Sequence, residues 1–179
     1  MSVPPLRRAG GEARYKRSKS QHMPKIDIAA LKTDSHTGYP EPFRQAVLGR
    51  SRKRLGNAAG LDQFGVNLTT LKPGAASSQR HWHANEDELV YVLAGEVVLC
   101  EDDGETVLRP GEAAGWKAGV AVGHCLVNRS TQDAVYLEIG SRAATERADY
   151  PDIDMRVERD ERGARYLHKS GVPYPVSER

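Results

Sequence analysis

The stretch Gly74–Gly95, GAASSQRHWHANEDELVYVLAG, decides the fold. It follows the turn signal Lys72-Pro73-Gly74 and carries His81-Trp82-His83, then Glu88, then the apolar run Leu89–Ala94. On a strand, alternate side chains share a face. Both imidazoles would then point one way and Trp82 the other. Working outward, Gln63–Leu71 is rich in Phe, Val, Leu and Thr and reads as a strand. Glu88–Cys100 reads as two strands forming a hairpin around Ala94-Gly95. Asp102-Asp103-Gly104 and Arg109-Pro110-Gly111 supply further turns on either side of a short strand at Glu105–Leu108. Gly123–Asn128 and Ala134–Ile139 read as strands joined by a polar loop. Many short strands with turns every ~8–12 residues argue for an all-β sandwich or barrel.

Closing such a barrel would bring His124, at the start of a late strand, near the first pair. Three imidazoles and a carboxylate make a borderline N/O donor set. It suits one divalent transition metal (Zn, Fe, Mn, Ni, Co or Cu) rather than Ca or Mg. A lone His-x-His is usually two ordinary histidines. Here the pair stands in register with Glu88, His124 and several turn glycines. Glu86 is the alternative carboxylate if the strand starts early.

These residues resemble the cupin family. Its first motif is matched by Gly74, six residues, His81-Trp82-His83, four residues, Glu88, six residues and Gly95. Its second is matched by Gly111, five residues, Lys117-Ala118-Gly119, four residues, His124, three residues and Asn128. Lys117 replaces the family's usual Pro, and two extra residues precede His124. The resemblance implies a double-stranded β-helix, or jelly-roll barrel, with His81, His83, Glu88 and His124 as metal ligands. It also implies a homodimer.

By strand parity, Gln79 would share the cavity with the histidines, and Val90 and Val92 would form an apolar wall. Trp116 would cap the pocket or pack beside it. Arg80 and Tyr91 would point outward, and Tyr91 or Trp82 would be candidate subunit contacts.

The organisation expected is a basic, disordered leader at 1–22, an irregular arm at 23–60, a barrel at 61–141 and a charged extension at 142–179. The arm would hold at most a short strand near Arg44–Leu48. Asp149–Arg162 would be linker or short helix. The chain of 179 residues has a net charge of +2, but six Lys/Arg and one Glu lie in residues 1–22. The rest holds 20 basic and 23 acidic residues, with no basic stripe to track nucleic acid. No run reaches the ~18–20 apolar residues that span a bilayer. Two cysteines are too few for a disulfide framework, and a cytoplasmic protein with reduced thiols is expected. The leader also admits a transit-peptide or nucleic-acid-tether reading.

Two functions stay open. One is a metal-dependent enzyme (dioxygenase, isomerase, decarboxylase or lyase) acting on a small oxygen-bearing metabolite. The other is a non-catalytic small-ligand-binding or regulatory module.

Overall fold

The computed structural model describes residues 25–41 and 43–175. The basic leader at 1–22 lies outside them. Among the described residues the regular structure is almost entirely antiparallel strand. One sheet has five strands in the order β1 (Arg50–Arg54), β2 (Phe64–Leu71), β9 (Ala134–Ser141), β4 (Glu88–Ala94) and β7 (Ala113–Trp116). Facing it are a three-stranded sheet, β6 (Gly104–Leu108), β5 (Val97–Glu101) and β8 (Cys125–Val127), and a four-stranded one. The latter runs β12 (Gly163–Leu167), β11 (Met155–Asp160), β10 (Glu146–Tyr150), β3 (Trp82–His83). The segment leading into β3 joins these two, because Ala76 pairs with Val127 and His81 with His124.

Three expectations are corrected. The strands on either side of Gly95 form no hairpin. β4 is hydrogen-bonded to β9 and β7, so neither of its edges is left for β5, which pairs with β6 and β8. Instead, a bulge between Val92 and Ala94 and a turn at Gly95 carry the chain to the opposite wall, as bulges do at barrel corners. Gly95 has φ +69°, and a Cβ there would meet the Asp133 carbonyl oxygen at 2.5 Å. The second correction concerns Arg44–Leu48, which holds a 3-10 turn, Gln45–Val47, and no strand. Gly49, at φ +91°, turns the chain before the strand begins at Arg50. In the third, Asp149–Arg162 is neither linker nor helix. It contributes to β10 and β11, with β10 paired to β3 beside the histidines. The terminal regions are thus less irregular than expected, since β1 and β10–β12 lie within the sheets. The charges of β11 are accommodated because they alternate with Met155 and Val157, which pack inward.

Two apolar clusters fill the interior. Leu71, Val90, Val92, Val97, Leu99, Leu126 and Tyr136 make one; Tyr39, Val47, Ala148, Tyr150 and Met155 make the other. Each fully buried aliphatic side chain contributes about 1.5–3 kcal/mol relative to exposure. A cavity of about 450 Å³ is bounded by members of both clusters, including Val90, Leu126, Tyr136, Tyr39 and Tyr150. Among the described residues no helix is long and apolar enough to cross a membrane.

Candidate metal centre

Strand pairing dictates what faces the cavity. Across the five-stranded sheet, Gly65, Gly140, Glu88 and Trp116 stand in one row. Asn67, Glu138 and Val90 form the next, with Arg54 at its edge. Arg52, Thr69, Tyr136 and Val92 form the third. Partners directly opposite one another share a face. Glycine at 65 and 140 leaves open floor beside the Glu88 carboxylate.

The opposite wall supplies the histidines. His81 and His124 are bridged by backbone bonds of 3.1 and 2.9 Å. The chain approaches His124 through a turn at Lys117–Val120, where Gly119 sits at φ +80° and its N–H donates to the His83 carbonyl at 2.9 Å. His81 Nε2 lies 3.0 Å from His83 Nε2. Glu88 Oε2 lies 3.3 Å from His83 Nε2 and 3.2 Å from His124 Nε2. Ligand atoms of His81, Glu88 and His124 all fall within 4.8 Å of one another, a spacing that could hold one ion. The sequence-predicted quartet is therefore brought together.

The outer nitrogens are also engaged. His81 Nδ1 donates to the Gln79 carbonyl at 3.0 Å and His124 Nδ1 to the Val122 carbonyl at 3.4 Å. His83 Nδ1 lies 3.3 Å from Glu146 Oε1. Such partners set the tautomer and turn a lone pair at Nε2 toward the centre. Three imidazole lone pairs and a carboxylate oxygen then converge with one proton at most to share. Four acceptors this close repel unless a cation lies among them, so the donor set fits a metal. Trp116 stacks on His124 with ring centroids 3.8 Å apart and planes 6° off parallel.

Electrostatics follow the same logic. Burial drives His81 down to about 3. At His83 burial pulls downward too, but hydrogen bonds to Glu146 and Glu88 outweigh it and raise the ring to about 10. Burial alone would raise Glu88; hydrogen bonds from His124 and His83 reverse this and hold the carboxyl well below its usual range. In the metal-free chain His83 therefore carries a proton at neutral pH.

Of the other candidates, Val90 and Trp116 line the cavity. Gln79 does not. Residues 77–80 are bends, which break the alternation. Gln79 Nε2 instead donates to the Phe43 carbonyl at 3.0 Å, and its backbone N–H to the Tyr39 hydroxyl at 3.2 Å. Val92 lies one row deeper, fully buried in the core. Glu86 is held by Arg159 and by the Ala143 N–H; its carboxylate groups with His83 and Glu146 rather than with His81, Glu88 and His124. Arg80 points outward to Asp102 and Asp152. Tyr91 is exposed, and Trp82 lies beneath Arg147.

Sequence reasoning missed Glu138, Glu146 and the arginines of β1. Glu138 lines the cavity and is held by Arg52 at 3.0 Å and Asn67 at 3.1 Å. The signal was there in part, since Tyr136 and Glu138 alternate with Val135, Leu137 and Ile139 along β9.

Residues 67–140 match the family described as Cupin domain. One similar solved structure is a sugar phosphate isomerase of the cupin superfamily from Silicibacter pomeroyi DSS-3. It is 44% identical, with a TM-score of 0.82, over 85% of this chain and 97% of that one. This chain is a cupin. A second similar solved structure, from Acidithiobacillus ferrooxidans, is named provisionally for the same activity. It is 31% identical over 72% of this cupin and 81% of its own chain, with a TM-score of 0.64. A polyketide cyclase from Streptomyces resistomycificus is 20% identical over 66% of this chain and 79% of that one, TM-score 0.56, a likeness of fold alone. No curated protein matches this cupin.

Proposed function

We propose that this cupin is a metal-dependent isomerase acting on a small sugar phosphate, with its metal held by His81, His83, Glu88 and His124. The observation that carries the reading is the convergence of three imidazoles and a carboxylate at the wall of a polar cavity. The cavity falls within the roughly 300–1,000 Å³ of small-molecule sites. The relatives named for sugar phosphate isomerisation support the choice of reaction.

When bound, the metal would supply Lewis-acid polarisation of a substrate carbonyl or hydroxyl oxygen. The chain supplies the rest. Aldose–ketose isomerisation needs a base to take a proton from the carbon beside the carbonyl and return it to the neighbouring carbon. Glu138 is the cavity carboxylate available for this, one row along the sheet from Glu88 and held in place by Arg52, Asn67 and Thr69. The glycine floor at 65 and 140 leaves space for the sugar.

The test is proton NMR of aldose and ketose phosphates in deuterated buffer with metal-loaded protein. Interconversion with deuterium at the exchanged carbon, abolished by chelation and by Glu138→Gln, is expected. Binding without turnover across the panel would favour a non-catalytic ligand-binding module instead.

A further inference from the structure

One wall of the cavity carries a positive charge with no carboxylate of its own. Register places Arg50, Arg52 and Arg54 on the inner face of β1. Arg54 is paired with Asp34 at 2.7 Å and Arg52 with Glu138 at 3.0 Å. Arg50 has no ion pair among the described residues; its hydrogen bond goes to the neutral carbonyl of Ser77. Yet Arg50 is only 8% exposed. A guanidinium keeps its charge in a protein, and a buried charge without a partner is costly.

A second group on the same wall has the same need. Tyr136 is 1% exposed, and its hydroxyl has no hydrogen-bond partner. It stands two positions along β9 from Ala134, which lies in Arg50's row through Leu71. Both Arg50 and Tyr136 line the cavity that contains His81, His83, Glu88 and His124. Native interiors rarely leave a buried phenol unbonded, and an exception calls for an explanation. A fixed guanidinium and a free hydroxyl are a donor pair suited to an oxyanion.

We propose that Arg50 and Tyr136 form a subsite for the oxyanion of the substrate, a phosphate monoester or a carboxylate, separate from the metal ligands. The proposal rests on the reading of this cavity as a substrate site. It assigns the anionic end of the substrate to the β1–β9 side, so that its oxygens at the other end reach the metal.

The probes are inorganic phosphate and, separately, acetate. They are titrated by calorimetry into the full metal-loaded chain, with metal content and melting curves measured for every variant. Phosphate should bind the parent, and Arg50→Met should weaken it about tenfold or more. Arg50→Lys should fall between the two. Tyr136→Phe removes only an unpartnered hydroxyl, so it should fold like the parent and still bind phosphate several-fold more weakly. Metal content should stay the same throughout. Binding of phosphate but not acetate identifies a phosphoryl subsite, and comparable binding of both a carboxylate one. Phosphate affinity unchanged in Tyr136→Phe and Arg50→Lys, or no binding of either probe to the parent, overturns the proposal. Variant-sensitive phosphate binding in a protein that isomerises no sugar phosphate would uphold the subsite and sink the isomerase reading. Isomerisation with variant-insensitive affinity would do the reverse.

Discussion

His81 and His124 face one another across an antiparallel bridge of two backbone hydrogen bonds, 3.1 and 2.9 Å long. Their side chains lean into the same cavity, with ring centroids 5.1 Å apart. The backbone therefore sets the spacing of these two rings before any ion arrives. Replacing either imidazole would remove a proposed ligand and leave the backbone bridge in place. His81→Ala and His124→Ala should each fold, yet lose most bound metal by mass spectrometry. Variants that retained a full equivalent of metal would place it elsewhere.

Glu146 tests the surroundings of the centre rather than the centre itself. Its carboxylate lies 3.3 Å from His83 Nδ1 and accepts the Ala84 and Asn85 N–H groups at 3.0 Å. Glu146→Gln keeps an acceptor but loses the charge that raises His83. Changes at such supporting positions typically weaken metal binding about 10–100-fold. A competition titration with a chromophoric chelator should show a fall of that order. An unchanged affinity would mean that His83 does not need this support.

Metal uptake should depend on pH in a set direction. In the metal-free chain His83 is raised to about 10, so it carries a proton at neutral pH. A metal at Nε2 must displace that proton. Binding then releases about one proton below pH 10, and affinity should rise about tenfold per pH unit toward that value. Calorimetry in two buffers of different ionisation enthalpy reads the proton count directly. A count near zero at pH 7 would contradict the assignment of the proton to His83.

Gly95 is where backbone conformation decides. Its φ of +69° costs any other residue about 1–2 kcal/mol, and a Cβ would also press on the Asp133 carbonyl at 2.5 Å. Gly95→Ala should destabilise the fold by about 2 kcal/mol or more, measured by urea unfolding. Gly74→Ala shares the positive φ but meets nothing within 4 Å, so it should cost less.

The sequence made the quartet legible because His-x-His, Glu88 and His124 are separated by turns that strand geometry can count across. It also exposed β2 and β4 through their apolar and β-branched runs. What it hid has physical causes. The hairpin at Gly95 was misread because local sequence does not say which edges of β4 are already occupied. Gln79 was misplaced because four consecutive bends broke the parity that carried the inference. The strand Arg50–Arg54 fell inside the stretch read as an irregular arm, since its inward arginines alternate with Ser51 and Lys53 rather than with apolar residues. β9 inverts the usual rule: Tyr136 and Glu138 face the cavity, and Leu137 and Ile139 face outward. In a barrel that keeps a polar site inside, inward and apolar are no longer the same direction.

Glu88 belongs to the five-stranded sheet, whereas His81, His83 and His124 belong to the opposing wall. An ion shared among them would be a cross-link between sheets that are joined otherwise mainly by side-chain packing. Its binding energy would then add to the folding energy by mass action, about 2.7 kcal/mol at a hundredfold excess over Kd. The melting temperature should climb with free metal and drop on chelation. A cell short of that metal would then hold a less durable barrel as well as an idle site.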